Sequence, residues 1–181
     1  MPVDPSSLRI ELFPAPILRE KAKPVEATDE VLAVVDRMVE LMRGAEGIGL
    51  AATQVGLPWR LFVCDVPPDD EAAHDPVEHT DGPVAFLNPV IESSEGVPDA
   101  YEEGCLSLPG IRGDVIRPPI VTVSAIGRDG QPFEVRAGGL LSRCLQHEID
   151  HLDGVLIFDK MTDRARARVK NSIRALERTA R

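Results

Sequence analysis

His147 and His151 stand four residues apart, with Glu148 beside the first, in the run Gln146-His147-Glu148-Ile149-Asp150-His151. Residues at that spacing lie nearly above one another on an α-helix, so both imidazoles can face one ion from the same side, with a carboxylate next to them. Read as a helix, the segment is a metal site with a base attached; the bare motif alone also fits two histidines that are merely surface or core residues. At about 100° per residue, positions 140–153 sort into three arcs. Leu140, Cys144, His147, His151 and, at one edge, Glu148 share the first; Leu141, Leu145, Ile149 and Leu152 form an apolar second; Arg143, Gln146, Asp150 and Asp153 form a polar third. A wholly exposed helix would not carry this pattern.

Two imidazoles leave a catalytic zinc-like ion short of its usual three protein ligands, with water in the fourth position. One extended zinc-protease pattern continues as H-x-x-G-x-x-H. Gly154 fits it, but Ile157 occupies the third histidine position and excludes it. A downstream glutamate is the other protease solution, and the only one is Glu177, in a basic tail among residues that read as solvated surface. Upstream, the candidates reduce chiefly to Cys105 in Glu103-Gly104-Cys105-Leu106-Ser107-Leu108-Pro109, which gives a His₂Cys site; read alone, that cysteine also fits a small core residue.

The rest of the chain supplies the setting. Its 181 residues are enough for one domain with its own core. Cys64, Cys105 and Cys144 are too few and too odd in number for a disulfide scaffold, and no apolar run of about 20 residues is present. These features point to a reducing, cytoplasmic setting without a membrane span. The net charge of -10 argues against DNA or other nucleic-acid binding over the whole surface, but it is unevenly placed. Residues 159–181 carry eight basic and three acidic side chains, a net of +5, which leaves -15 for the remainder.

From the N-terminus, a proline-rich stretch over residues 1–27 reads as an extended, wrapping arm. Thr28 caps a helix whose apolar residues Val31, Val34, Val35, Met38, Leu41 and Met42 recur at helical spacing up to Gly44. Next, Glu46-Gly47-Ile48-Gly49-Leu50-Ala51-Ala52-Thr53-Gln54 allows close approach of a ligand or another backbone. It lacks the third glycine or the Gly-Lys-Ser/Thr ending of a phosphate loop, so it fits either a turn with a core amide at Gln54 or a binding segment. Strands are expected over 60–66 and 84–91, and a hairpin over 120–126 and 133–137 leads through Gly138 and Gly139 into the histidine helix. Between the first two strands, 67–83 reads as a solvated acidic loop whose histidines, His74 and His79, are not ligands. The expected class is α+β, mostly antiparallel strands wrapped around a central helix. A catalytic domain over 1–161 is followed by a basic helix over 162–181, part of the same domain or a docking tail, capped by Thr162, with Ala165, Val169, Ile173 and Leu176 on one stripe and Arg166, Lys170, Arg174 and Arg178 on another.

The segments Gly47-Ile48-Gly49-Leu50-Ala51-Ala52-Thr53-Gln54, Glu103-Gly104-Cys105-Leu106-Ser107 and Gln146-His147-Glu148-Ile149-Asp150-His151 resemble, in order and spacing, the three signature motifs of the peptide deformylases. The resemblance implies removal of the N-formyl group from the N-terminal formyl-methionine of newly made polypeptides by metal-bound hydroxide. It implies Cys105, His147 and His151 as metal ligands, Glu148 as acid and base, and Gln54 with the Leu106 backbone N–H as donors to the formyl oxygen. Ile48, Leu140 and Cys144 would form the methionine pocket, bordered by Gly49 and Gly104. Arg112 resembles an arginine near the peptide path and equally fits a surface ion pair. One divalent ion is implied, Fe²⁺ in the cell, with Zn²⁺, Ni²⁺ or Co²⁺ as alternatives. Formyl-methionyl nascent peptides are the implied partners, and the ribosome a further one through the basic helix.

Overall fold

The computed structural model describes residues 2–68 and 75–179. Its element order is α1 (Asp29–Gly44), β1 (Gly49–Ala51), β2 (Leu61–Cys64), β3 (Val84–Glu95), β4 (Asp99–Gly104), β5 (Arg112–Arg117), β6 (Ile120–Ile126), β7 (Pro132–Ala137), α2 (Gly139–Leu152), α3 (Ile157–Lys160) and α4 (Asp163–Thr179). Five strands form an antiparallel sheet in the order β1-β2-β3-β6-β7, and β4 pairs with β5 in a separate two-stranded sheet. The fold is α+β, as the sequence leads one to expect.

The period of two along β2 divides the core between the two faces of the sheet. Leu61 and Val63 point to one face, where they pack with Val31, Val34, Val35, Met38 and Met42 of α1. Phe62 and Cys64 point to the other, where they meet Leu141, Leu145, Ile149 and Leu152 of α2. All four β2 side chains are fully buried, each apolar one contributing about 1.5–3 kcal/mol relative to exposure. A third cluster, Leu18, Leu108, Ile111, Val115, Leu156, Ile157, Met161 and Ala165, joins the small sheet to α3 and α4.

Thr28 caps α1, its hydroxyl accepting from the Val31 N–H. The proline-rich arm makes two 3₁₀ turns and ties the motif segments together: Glu11 N–H donates to Gln54 O, Phe13 N–H to Ser107 O and Ala22 N–H to Leu152 O. At Gly154, φ is +73° and a Cβ would lie 2.5 Å from Arg19 O, so the turn after α2 needs glycine to receive the arm.

Three features go beyond the expectations from the sequence. β3 runs on to Glu95 and residues 99–104 form β4, paired with β5. The acidic loop is fastened in part, since Val77 N–H donates to Arg136 O, Gly138 N–H donates to Val77 O, and Thr80 bonds with Val66. His79 lies in that loop outside any candidate metal cluster among the described residues, and His74 lies outside the described residues. On the polar arc of α2, Arg143 and Gln146 are buried.

Candidate metal centre and active site

The site is assembled where α2, the end of β4 and the segment around β1 meet. Cys105 follows β4 directly, and one ligand atom each of Cys105, His147 and His151 fall within 4.8 Å of one another. Cys105 Sγ lies 3.2 Å from His151 Nε2. The outward nitrogen of His147, Nδ1, is 3.1 Å from Glu103 Oε2, which leaves Nε2 for the centre, the usual arrangement when a carboxylate orients a metal-bound imidazole. Arg117 holds the same carboxylate through Nε and Nη2, at 2.6 and 3.0 Å.

The electrostatics fit a cation at this centre. Burial works against charging Glu103, but hydrogen bonds from His147 and Arg117 hold its carboxyl at about 2. Burial likewise opposes a charged His147, yet bonding to Cys105 and Glu103 raises its pKa well above the ordinary imidazole range. Burial, reinforced by the charges of His147 and Arg117, keeps His151 neutral. A thiol and two imidazoles therefore converge beside negative groups that draw positive charge inward. A soft-to-borderline divalent ion suits that donor set.

Glu148 lies against this cluster, buried, with Oε2 lacking any hydrogen-bond partner. Burial lifts its pKa to about 7 against the opposing pull of His147 and Arg117. Gln54 is buried on the other side. Its Oε1 accepts from the Ala51 N–H at 2.9 Å, which fixes the amide so that Nε2 donates to Ser107 Oγ at 3.1 Å and faces Cys105 Sγ at 3.6 Å. Thr53 Oγ1 donates to His151 O, connecting this segment to α2.

A cavity of about 590 Å³ opens over these groups. Ile48, Gly49, Gln54, Gly104, Cys105, Leu106, Arg112, Leu140, Cys144, His147 and Glu148 all line it; His151 sits behind them. Every site residue expected from the sequence is thus brought to one place. Arg112 lines the cavity while its Nε donates to Glu102 at 2.9 Å on the exposed rim. Sequence reasoning missed Glu103, Arg117, Tyr101 and Arg143. The Arg143 guanidinium stacks over the Tyr101 ring at 5.0 Å on the cavity wall. Only Glu103 gave a signal, two residues before Cys105 on a strand that must end at the site.

The sequence model of the polypeptide deformylase family matches residues 7–167. A peptide deformylase of Agrobacterium fabrum is 47% identical over 152 residues, 83% of this chain and 85% of its own length. One of Hahella chejuensis is 43% identical over 93% of this chain and 95% of its own. Among solved structures, peptide deformylase from Ehrlichia chaffeensis superposes with a TM-score of 0.85 at 33% identity, covering 96% of this chain and 98% of its own. With its motifs gathered around one cavity and similarity running over nearly its whole length, the chain belongs to the polypeptide deformylase family of hydrolases.

Proposed function

We propose that the cavity hydrolyses the N-formyl amide of formyl-methionyl peptides, releasing formate and a free N-terminal methionine, with one divalent metal ion held by Cys105, His147 and His151. The observation that carries the reading is the buried, unpartnered Oε2 of Glu148 beside that donor cluster. A divalent ion bound there would polarise the formyl oxygen and bring the pKa of a water from 15.7 to about 7. Fe²⁺ is our assignment for the cell.

Glu148 takes a proton from the attacking water and returns it to the departing amine. Its pKa of about 7 suits both transfers. As the formyl carbon becomes tetrahedral its oxygen gains charge, and Gln54 Nε2 with the Leu106 N–H donates to it. The Ala51 N–H already fixes the orientation of the Gln54 amide, and losing one such donor typically costs on the order of 10² to 10³ in rate. Ile48, Leu140 and Cys144 offer an apolar pocket for the methionine side chain, Gly49 and Gly104 let the peptide backbone approach, and Arg112 stands at the rim.

We place the reaction in the cytoplasm, on nascent chains. No helix among the described residues is long and apolar enough to cross a membrane. Residues 1–161 act as the catalytic domain, and α4 adds an exposed basic face toward ribosomal RNA. The test is formate release from formyl-Met-Ala-Ser alongside cleavage of the same peptide without formyl. Release confined to the formylated peptide is expected; comparable cutting of both peptides at internal bonds would make the protein a metalloprotease instead.

A further inference from the structure

Asp150 lies three residues beyond His147 on α2, on the arc that points away from the donor cluster, and yet it is bonded back to it. Its Oδ2 accepts from Arg117 Nη1 at 2.8 Å. Arg117 spends Nε and Nη2 on the two oxygens of Glu103, and Glu103 Oε2 faces His147 Nδ1 at 3.1 Å. The four side chains close a ring, His147–Glu103–Arg117–Asp150, that begins and ends on one helix. Its middle members are deeply buried, with side-chain exposures of 8% for Glu103 and 5% for Arg117. The nearest further cations are Arg143, 3.9 Å from Glu103 Oε1, and Lys160, 3.8 Å from Asp150 Oδ1, too far to replace the fork of Arg117.

We propose that Asp150 is a positioning residue for His147, acting through Arg117 and Glu103. A guanidinium is planar and its donors are fixed in a fork, so anchoring Nη1 to Asp150 sets the plane in which Nε and Nη2 meet Glu103. Both Glu103 oxygens are then fixed, and the one facing Nδ1 holds a proton there and fixes the ring rotation of His147. The Nε2 lone pair is thereby aimed at the centre. Loss of Asp150 leaves a buried arginine donor without its partner and lets the fork rotate, which loosens Glu103 and then His147. The inference rests on reading Cys105, His147 and His151 as metal ligands.

The test compares Asp150→Ala, which removes the acceptor of Arg117 Nη1, with Asp153→Ala. Asp153 bounds the same helix and accepts from Arg60 at 2.9 Å, but it has no bond into the ring, so it controls for losing an ion pair on α2. Two quantities are read on the full chain: the Co²⁺ dissociation constant by chelator competition, and the proton resonance of the hydrogen-bonded His147 Nδ1–H. Asp150→Ala is expected to weaken Co²⁺ binding by roughly 10- to 100-fold and to shift or broaden that resonance, while Asp153→Ala leaves both at wild-type values. Should Asp150→Ala fail to fold, Arg117→Lys, which keeps the charge but lacks the planar fork that meets both Glu103 oxygens and Asp150 at once, is expected to give the same weakening. Wild-type Co²⁺ affinity in the ring variant, or equal loss in both aspartate variants, overturns the inference alone. A wild-type chain that takes up no Co²⁺ overturns the metal reading and the inference with it.

Discussion

Gly49 and Glu148 are sterically matched: a methyl group on Gly49 would lie 2.4 Å from Glu148 Oε1 and 2.9 Å from Cys144 Sγ. The glycine is there for space and not for backbone freedom, since its φ is not in the left-handed region. Gly49→Ala should therefore fold, keep its metal and displace the Glu148 carboxylate. Misplacing a reacting group by about 1 Å costs on the order of 10² in rate. A variant with kcat near wild type would show that Glu148 does not act from this position.

Proton transfer and metal binding should separate by substitution. Glu148→Ala removes the proposed base but no ligand, so metal content measured by elemental analysis should stay at one per chain while turnover nearly vanishes. Cys105→Ala should lose both. Substantial activity in metal-replete Glu148→Ala would remove Glu148 from the mechanism.

The two buried glutamates should give the metal-free protein opposite pH dependences. Glu148 has its pKa raised from 4.5 to about 7, so its contribution to stability is fully present below pH 4.5 and is lost as pH rises through 7, by up to about 3 kcal/mol. Glu103 is lowered from 4.5 to about 2, so its contribution is present above pH 4.5 and is lost as pH falls toward 2. Urea unfolding of the chelator-treated protein, as wild type and as Glu148→Gln, isolates the first term. The stability difference between the two should change between pH 4.5 and 7 and stay flat below; a pH-independent difference would contradict it.

Fe²⁺ in the cell should appear as iron after anaerobic purification, with activity decaying on exposure to air. A thiolate with two imidazoles also accepts Zn²⁺, Ni²⁺ and Co²⁺, so affinity order alone does not choose. Stoichiometric zinc with full activity and no gain on adding iron would overturn the assignment.

Helices α1, α2 and α4 and the side chains that line the candidate site were legible because each has a local signature. Apolar residues at helical spacing and Thr28 mark α1, and the His147/His151 spacing marks α2. The β4–β5 hairpin has no such signature: of Asp99, Ala100, Tyr101, Glu102 and Glu103, only Glu103 turns inward, and it is charged. Its burial is made tolerable by Arg117, fourteen residues away, and by His147, forty-four away. The polar arc of α2 shows the same limit. Arg143, Gln146 and Asp150 read only as a polar arc because their partners Asp99, Pro118 and Arg117 are brought to them only by the fold.

The basic helix can be tested without dismantling the domain. Thr162 caps α4, accepting from the Ala165 N–H, and Ala165 is fully buried with Val169, Ile173 and Leu176 packed against the cluster around Val115 and Met161. Ending the chain at Lys160 would strip that cover and lower the melting temperature, confounding any binding assay. Lys170, Arg174 and Arg178 are exposed on the opposite face, so changing each to Gln should alter stability by no more than about 0.5 kcal/mol. Four phosphate contacts, from these three and Arg166, would give a slope of roughly -3 to -4 in log affinity against log salt. Ribosome co-sedimentation across a salt series should show that slope for the wild-type chain and a slope of about -1 for the triple variant, with weaker binding at every salt concentration. Equal binding and equal slopes would take the ribosomal contact away from this helix.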